Sequence, residues 1–246
     1  MDRLSIAGVV AAVVTLAAGI VLKGASLGAL WNFGAFVVVF LGTSAAVLLR
    51  TPMPEVRRAL ANFRWVFRPP AFESDGLIER IVAWSVVSRT RGLLALERRI
   101  DTEHEELVRK GLQLLVDGTE PATIRDILAV EIDTREEADM DAARMFENAG
   151  IYSPTMGIIG AVMGLMAAMQ HLGNPGQLGA GIAAAFVSTI YGISLGYLFM
   201  LPIASKLKSI AQRRAQVSSM LVEGLVAIAR GENPHHIESK LRGFVS

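Results

Sequence analysis

The chain has 246 residues, of which 52% are hydrophobic and 19% charged, and its mean hydropathy is +0.44. This composition is too apolar for an ordinary soluble globule and predicts a membrane protein. The 24 basic and 23 acidic residues leave a net charge of +1, which argues against nucleic acid as a partner, and the absence of cysteine excludes disulfides and thiolate nucleophiles.

Two charge-free runs open the chain. Residues 4–22 would extend about 29 Å as a helix, which matches the hydrocarbon core of a bilayer. A cleaved signal peptide is the alternative, but its apolar region would be shorter and its start more basic. Residues 28–49 follow after a short loop, so we expect residues 1–49 to form a transmembrane hairpin.

Two further apolar runs occupy residues 151–172 and 178–203, and the Asn174–Pro175 step between them indicates a turn. Residues 151–204 are therefore predicted to be a second transmembrane pair. Fifteen basic residues lie in the segment 50–150 and seven in the segment 205–246. The positive-inside rule then places both polar segments and both termini in the cytoplasm.

The polar segments carry helical rather than strand patterns. Apolar residues recur at three- and four-residue spacing over residues 77–100 and 106–116. No breaker interrupts the pattern from Pro121 to Gly150, so that helix can continue into the third span, and residues 205–229 are again helical. The predicted fold class is all-α, a polytopic membrane protein with four transmembrane helices and a helical cytoplasmic domain.

None of the four apolar runs contains Asp, Glu, Lys or Arg. Ion-conducting proteins commonly carry an intramembrane carboxylate as a relay. This chain therefore either moves no ion or receives the titratable group from another subunit. We expect no enzyme, metal or cofactor, because no nucleophile, base and orienting group occur together and the four histidines are scattered.

Three kinds of residue in the spans have an ordinary and a functional interpretation. Glycines four apart allow close helix contact but occur in any bundle. Hydroxyls can line an ion path or simply bond the carbonyl four residues back, and prolines can mark a functional kink or a helix end. The residues concerned are Gly160, Gly164, Gly192, Gly196, Ser188, Thr189, Tyr191, Pro154 and Pro202.

In the cytoplasmic segment, Arg89, Arg91 and Glu97 have no opposite charge three or four residues away. They predict either a docking surface for a charged partner or a solvated face. If the helix continues, Arg98 can meet Asp101 and Arg99 can meet Glu103. We expect the acidic stretch 131–141 to be a solvated face.

The order of these parts resembles the MotA/PomA family of flagellar motor stator subunits. The resemblance covers nearly the whole chain and is most specific at RTRGLLALE (89–97), YSPTMGIIG (152–160) and STIYG (188–192), with Pro202 beyond. It implies a torque generator in the bacterial inner membrane, in which five copies surround two copies of a B-type (MotB-type) partner. The partner's single span supplies the missing aspartate.

The resemblance also implies roles for single residues. Arg89 and Glu97 match residues that engage the rotor protein FliG, and Arg91 lies between them. Thr189 matches a threonine beside the partner's aspartate, and Pro154 and Pro202 match prolines that couple ion flow to movement. Ala161 stands where sodium-driven members have threonine, so we expect protons as the transported ion. The alternatives are an ExbB/TolQ-type energiser of outer-membrane processes and a non-conducting scaffold.

Overall fold

The structure is a computed structural model that describes residues 2–24, 26–70 and 74–244. These residues form helices and turns without a strand, which confirms the all-α prediction. Within this described part of the chain, four helices are long and apolar enough to cross a membrane, as the sequence predicted. The longer helices are α1 (Arg3–Leu22), α2 (Phe33–Arg50), α3 (Met53–Phe63), α4 (Ser74–Arg91), α5 (Glu106–Val116), α6 (Pro121–Met169), α7 (Pro175–Ala229) and α8 (Pro234–Arg242).

The helix bounds differ from the apolar runs at three places. α2 begins five residues later than the run at 28–49, because the side chain of Asn32 caps it by accepting the Ala35 N–H at 2.9 Å. α6 ends at Met169 rather than at residue 172. α7 begins at Pro175 and continues as one helix far beyond residue 203, to Ala229. The expected merger of the third span with the cytoplasmic helix before it is confirmed by α6.

The chain divides into two compact units, residues 1–69 with 139–209 and residues 70–138 with 210–246. This division differs from the predicted boundaries at residues 50 and 150, because α3 and the portion of α6 from residue 139 pack with the membrane helices. In the first unit, Ala59, Ala142, Phe146 and Leu207 form a small buried cluster. This cluster attaches α3 to α6 and α7.

The second unit is a helical bundle with its own apolar core. Ile81, Leu112, Leu128, Leu225 and Ile237 are completely buried in it. Each comes from a different helix, so one core joins α4 and α5 to α8 and to parts of α6 and α7.

The surface of this bundle carries an ion-pair network around Glu223, which lies 2.7 Å from Arg125 and 3.0 Å from Lys240. Burial raises the pKa of the Glu223 carboxyl, but the hydrogen bond and charge of Lys240 and the charge of Arg125 outweigh burial. The pKa is therefore below its ordinary value.

Candidate ion path and docking tip

α6 and α7 pack backbone against backbone along a line of glycines, the glycine seam, which consists of Gly157, Gly160, Gly164, Gly181, Gly192 and Gly196. A Cβ atom on Gly192 would lie 2.5 Å from the carbonyl oxygen of Ser153 and 2.8 Å from Cα of Gly157. The seam therefore has no room for a side chain at this level. The two glycine pairs singled out from the sequence lie in it. Gly157 and Gly181 were not singled out, although Gly157 lies seven residues before Gly164 and Gly181 eleven before Gly192, spacings that place each pair on one helix face.

Ser188 belongs to the seam. Its side chain is 2% exposed, and its Oγ lies 2.8 Å from the position a Cβ on Gly160 would occupy. The structure therefore places Ser188 between the two helices, facing Gly160.

Ala161 and Thr189 lie one residue beyond Gly160 and Ser188, which face each other across the seam. One residue is about 100° of helix rotation, and because α6 and α7 run antiparallel both rotations turn toward the same side. Pro154, seven residues before Ala161, lies on that side as well. The structure thus brings Pro154, Ala161 and Thr189 to one surface.

Around these three residues the surface is apolar and uncovered. Phe186 is 68% exposed and Ile158 60%, although both are large hydrophobic side chains. We call this surface the open face, and it consists of Pro154, Ile158, Ala161, Leu165, Phe186, Thr189 and Ile193. An uncovered apolar surface of this kind is typical of a site where another helix packs.

Thr189 supplies a hydroxyl to the open face. Its Oγ1 donates to the carbonyl oxygen of Ala185 at 3.2 Å, which is the ordinary interpretation made from the sequence. Because the proton is used in this bond, the oxygen's lone pairs are available to a donor on the open face. A protonated carboxylic acid is such a donor.

Tyr191 lies on the opposite flank of α7, which is covered by α2. Its hydroxyl donates to the carbonyl oxygen of Leu30, and its ring meets the Phe40 ring edge-on at 6.2 Å. Val38 and Gly42 of α2 contact α6 on the same flank, against Gly160 and Met156. The structure therefore separates Tyr191 from Thr189 and assigns it to the attachment of α2.

Pro154 and Pro202 lie inside helices, so the interpretation of both as helix ends is wrong. Pro154 cannot donate to the carbonyl of Gly150, and Ser153 Oγ donates to that oxygen at 3.4 Å instead. Pro202 follows a π-helical stretch, Ser194–Met200. The missing backbone hydrogen bond at Pro154 and the π-helical stretch face each other, since a Cβ on Gly196 would lie 2.6 Å from the Gly150 carbonyl oxygen. π-Helical stretches are frequent at functional sites.

The predicted continuous helix over residues 77–100 is wrong. α4 ends at Arg91, and Gly92 has a φ of +81°, a backbone conformation that residues other than glycine rarely adopt. A 3₁₀ turn, Leu93–Leu96, and one helical turn, Glu97–Ile100, follow. The turn is held by Leu96, which is completely buried.

This break produces a charged projection, the docking tip, consisting of Arg89, Arg91, Leu94 and Glu97. The three charged residues are exposed, and among the described residues none of them forms an ion pair. Leu94 is 73% exposed between them. The tip therefore combines free charges of both signs with an apolar contact, which suits a protein partner.

The condition for pairing Arg98 with Asp101 and Arg99 with Glu103 is not met, because the helical turn ends at Ile100. Glu103 accepts from Arg80 at 2.8 Å instead. Arg80 also lies over the Trp84 ring, 5.8 Å from its centre. Arg98 and Arg99 are exposed and, within the described residues, also lack ion pairs. The surroundings of the docking tip are therefore positively charged.

The prediction of a solvated face over residues 131–141 is wrong at Asp139. Its side chain is 3% exposed and accepts from Arg58 Nε at 2.7 Å and from Asn62 Nδ2 at 3.0 Å. Arg135, by contrast, pairs with Glu131 at 2.6 Å, as helical spacing predicted. The burial of Asp139 was not predicted because its partners lie in α3, far away in the chain.

The fold and the open face together define a class of protein: an all-helical membrane subunit with an uncovered apolar face of the kind against which another helix packs. The profile of the MotA/TolQ/ExbB proton channel family matches residues 99–220. Motility protein A of Bacillus subtilis (strain 168) is 37% identical, over 98% of this chain and 90% of the relative. The chain belongs to this proton channel family, in its motility protein A (MotA/PomA) branch.

Two solved structures agree with this assignment. The flagellar MotAB stator complex from Bacillus subtilis matches with a TM-score of 0.93 and 36% identity, covering 100% of this chain and 96% of that one. The structure of C. jejuni MotAB matches with a TM-score of 0.95 and 30% identity over the same shares. The resemblance to stator subunits is thereby confirmed, and the alternative of an outer-membrane energiser is not favoured.

Proposed function

We propose that this chain is an ion-driven, torque-generating stator subunit of the bacterial flagellar motor, which forms a proton channel with a B-type partner. The open face carries this proposal. It presents the hydroxyl of Thr189 on an uncovered apolar surface, in a chain whose four spans contain no Asp, Glu, Lys or Arg. An aspartate on a partner helix would supply the titratable group that this surface lacks.

In the proposed mechanism, the partner's aspartate lies against the open face near Thr189. Protonation removes the charge of the carboxylate and lets it donate a hydrogen bond to the hydroxyl; deprotonation reverses both. A charge that crosses 100 mV releases ~2.3 kcal/mol, enough to bias a step between nearly equal arrangements of the helices. Five copies of this chain around two partner copies would then turn stepwise in the bacterial inner membrane, with both termini in the cytoplasm.

The irregular region around Pro154 and Pro202 is the proposed coupling element. A helix deforms most easily where backbone hydrogen bonds are missing or shifted. The docking tip would transmit the step to the rotor protein FliG, with Arg89, Arg91 and Glu97 meeting opposite charges on the rotor. Exposed charges without internal partners can form such contacts without first breaking an ion pair inside the protein.

Replacing Thr189 by alanine is expected to reduce proton-driven torque about fivefold, because one hydrogen bond of ~1 kcal/mol to the partner's carboxyl is lost at the rate-limiting step. Tethered-cell rotation at fixed load measures the torque. Thr15→Ala on the exposed surface of α1 is the matched control and should rotate normally. A Thr189→Ala stator that assembles and rotates at full torque would support a non-conducting scaffold instead.

Reversing the charge at the docking tip with Arg89→Glu is expected to lower torque by about half or more while leaving assembly intact, since a favourable contact becomes a repulsion. A compensating reversal on the rotor should restore part of it. Arg213→Glu, an exposed arginine of α7 without an ion pair among the described residues, is the control. Unchanged swimming of the Arg89→Glu strain would remove Arg89 from the rotor contact.

The identity of the ion is tested by replacing sodium with potassium at constant proton motive force. Ala161 offers no oxygen to a hard cation, so rotation should continue at the same speed. Measuring rotation at several external sodium concentrations decides the question. A motor that stops without sodium would show that protons are the wrong ion.

A further inference from the structure

α1, α2 and α7 line an apolar groove of about 600 Å³ on the flank of α7 that carries Tyr191. Val13 and Ala17 line one wall, Phe40 and Leu195 the others, and Phe63 and Phe67 close one end. The groove contains almost no polar surface, and it lies alongside membrane-spanning helices. Its occupant must therefore be an apolar chain rather than an aqueous solute.

Three arginines are neighbours in the chain of residues at the closed end of the groove. Arg64 and Arg68 follow directly after Phe63 and Phe67, which line the groove. The backbone N–H of Asp2 donates to the carbonyl oxygen of Phe67 at 2.9 Å, which brings Arg3 to the same place. All three arginines are exposed, and none forms an ion pair within the described residues.

The carboxylate of Asp2, which precedes Arg3 in the chain, already has partners. Asp2 accepts from Lys206 and caps α1 by accepting the Leu4 N–H at 3.0 Å. It therefore neutralises a lysine and leaves the arginines without a counter-ion. Basic pockets between transmembrane helices on the cytoplasmic side are typical binding sites for anionic lipid head groups.

α3 has the surface of a helix that lies in the membrane interface. Met53, Arg57, Leu60 and Arg64 form one exposed stripe at helical spacing, and Met53 and Leu60 are more than 60% exposed. The opposite face is buried through Val56 and Ala59. Alternating apolar and basic residues of this kind place α3 at the level of the head groups.

We propose that the groove binds one anionic phospholipid of the cytoplasmic leaflet, with an acyl chain along Val13, Ala17 and Leu195 and its phosphate at Arg3, Arg64 and Arg68. This inference depends on the proposed function only for the orientation of the protein in the membrane. The charge at the closed end selects the head group, and the apolar walls select a lipid over free phosphate. The bound lipid fills the space between α1 and α7.

Native mass spectrometry of the full stator complex, purified with its B-type partner, tests the site with phosphatidylglycerol and phosphatidylcholine of identical chains. Phosphatidylglycerol should be retained at least ~10-fold better, because each basic residue near an anionic lipid contributes about fivefold in affinity. The Arg64→Gln/Arg68→Gln double variant should lose most of this preference and keep about the fivefold share of Arg3. Lys23→Gln, at the other membrane surface, should keep it.

A bulky side chain in the groove tests the contribution of the acyl chain to binding independently of that of the head group. Ala17→Trp should displace the lipid, whereas Val14→Trp, on the exposed side of the same helix, should not. Equal retention of the two lipids, or displacement of phosphatidylglycerol by glycerol phosphate, overturns the proposal. A change in the number of chains per complex with Ala17→Trp also overturns it, because a second copy then occupies the groove. The torque of Thr189 variants is measured independently, so failure here leaves the stator function untouched.

Discussion

Replacing Gly192 by valine is expected to abolish torque and to destabilise the protein by about 3 kcal/mol or more, since the atoms nearest to a Cβ at Gly192 are all backbone and cannot move aside. The Cβ of any other residue would meet the carbonyl oxygen of Ser153 at 2.5 Å and the backbone of Gly157 at 2.8 Å. Relief would require α6 and α7 to separate along the seam. Thr189 and Ala161 would then no longer form one surface.

The change is measured as the thermal midpoint of the detergent-solubilised complex and as motility of the strain. Gly179→Val is the matched control, because Gly179 lies in the same helix with no atom within 4 Å of a built Cβ. The control should retain its midpoint within a few degrees. A Gly192→Val protein as stable as the Gly179→Val protein would show that the helices do not pack this closely.

Asp139→Ala is expected to destabilise the first unit by about 3 kcal/mol, because removing one partner of a buried ion pair leaves the other groups unsatisfied. The amide of Asn62 is also buried and would lose its acceptor at 3.0 Å. Arg58 is 36% exposed and can partly turn to water, so the loss comes mainly from Asn62 and from the cavity. The thermal midpoint and resistance to proteolysis report this loss.

Asp141→Ala provides the control two residues away on the same helix. Asp141 pairs with Arg144 at the surface, three residues on, and such pairs contribute at most about 0.5 kcal/mol. The two variants remove the same charge from the same stretch of sequence. Equal stability of both proteins would contradict the buried role of Asp139.

The long membrane helices were predictable because local sequence decides them. Charge-free length sets the spans, and the absence of a breaker between Pro121 and Gly150 correctly predicted that α6 is continuous. The end of α4 was not predicted, because a single glycine inside a helical pattern is usually tolerated. Only its φ of +81° shows that Gly92 breaks the helix.

The candidate site divides in the same way. The positions of Thr189 and Ala161 on one surface depend on which residues of two antiparallel helices face each other, and no spacing within one helix reveals this. Tyr191 could not be separated from Thr189 by sequence, because the atom that receives its hydrogen bond is the backbone oxygen of Leu30, 161 residues away. Contacts distant in the chain therefore account for the errors at Tyr191 and Asp139.

The π-helical stretch Ser194–Met200 contains wider turns than the α-helix on either side of it. Such a stretch can migrate along the chain by exchanging hydrogen-bond acceptors, without changing the length of the helix. Each shift by one residue would rotate the side chains it passes by about 100°. α7 could thereby re-aim a few side chains while both of its ends stay in place, provided that α6 moves away from Gly196, where the seam has no room for a side chain.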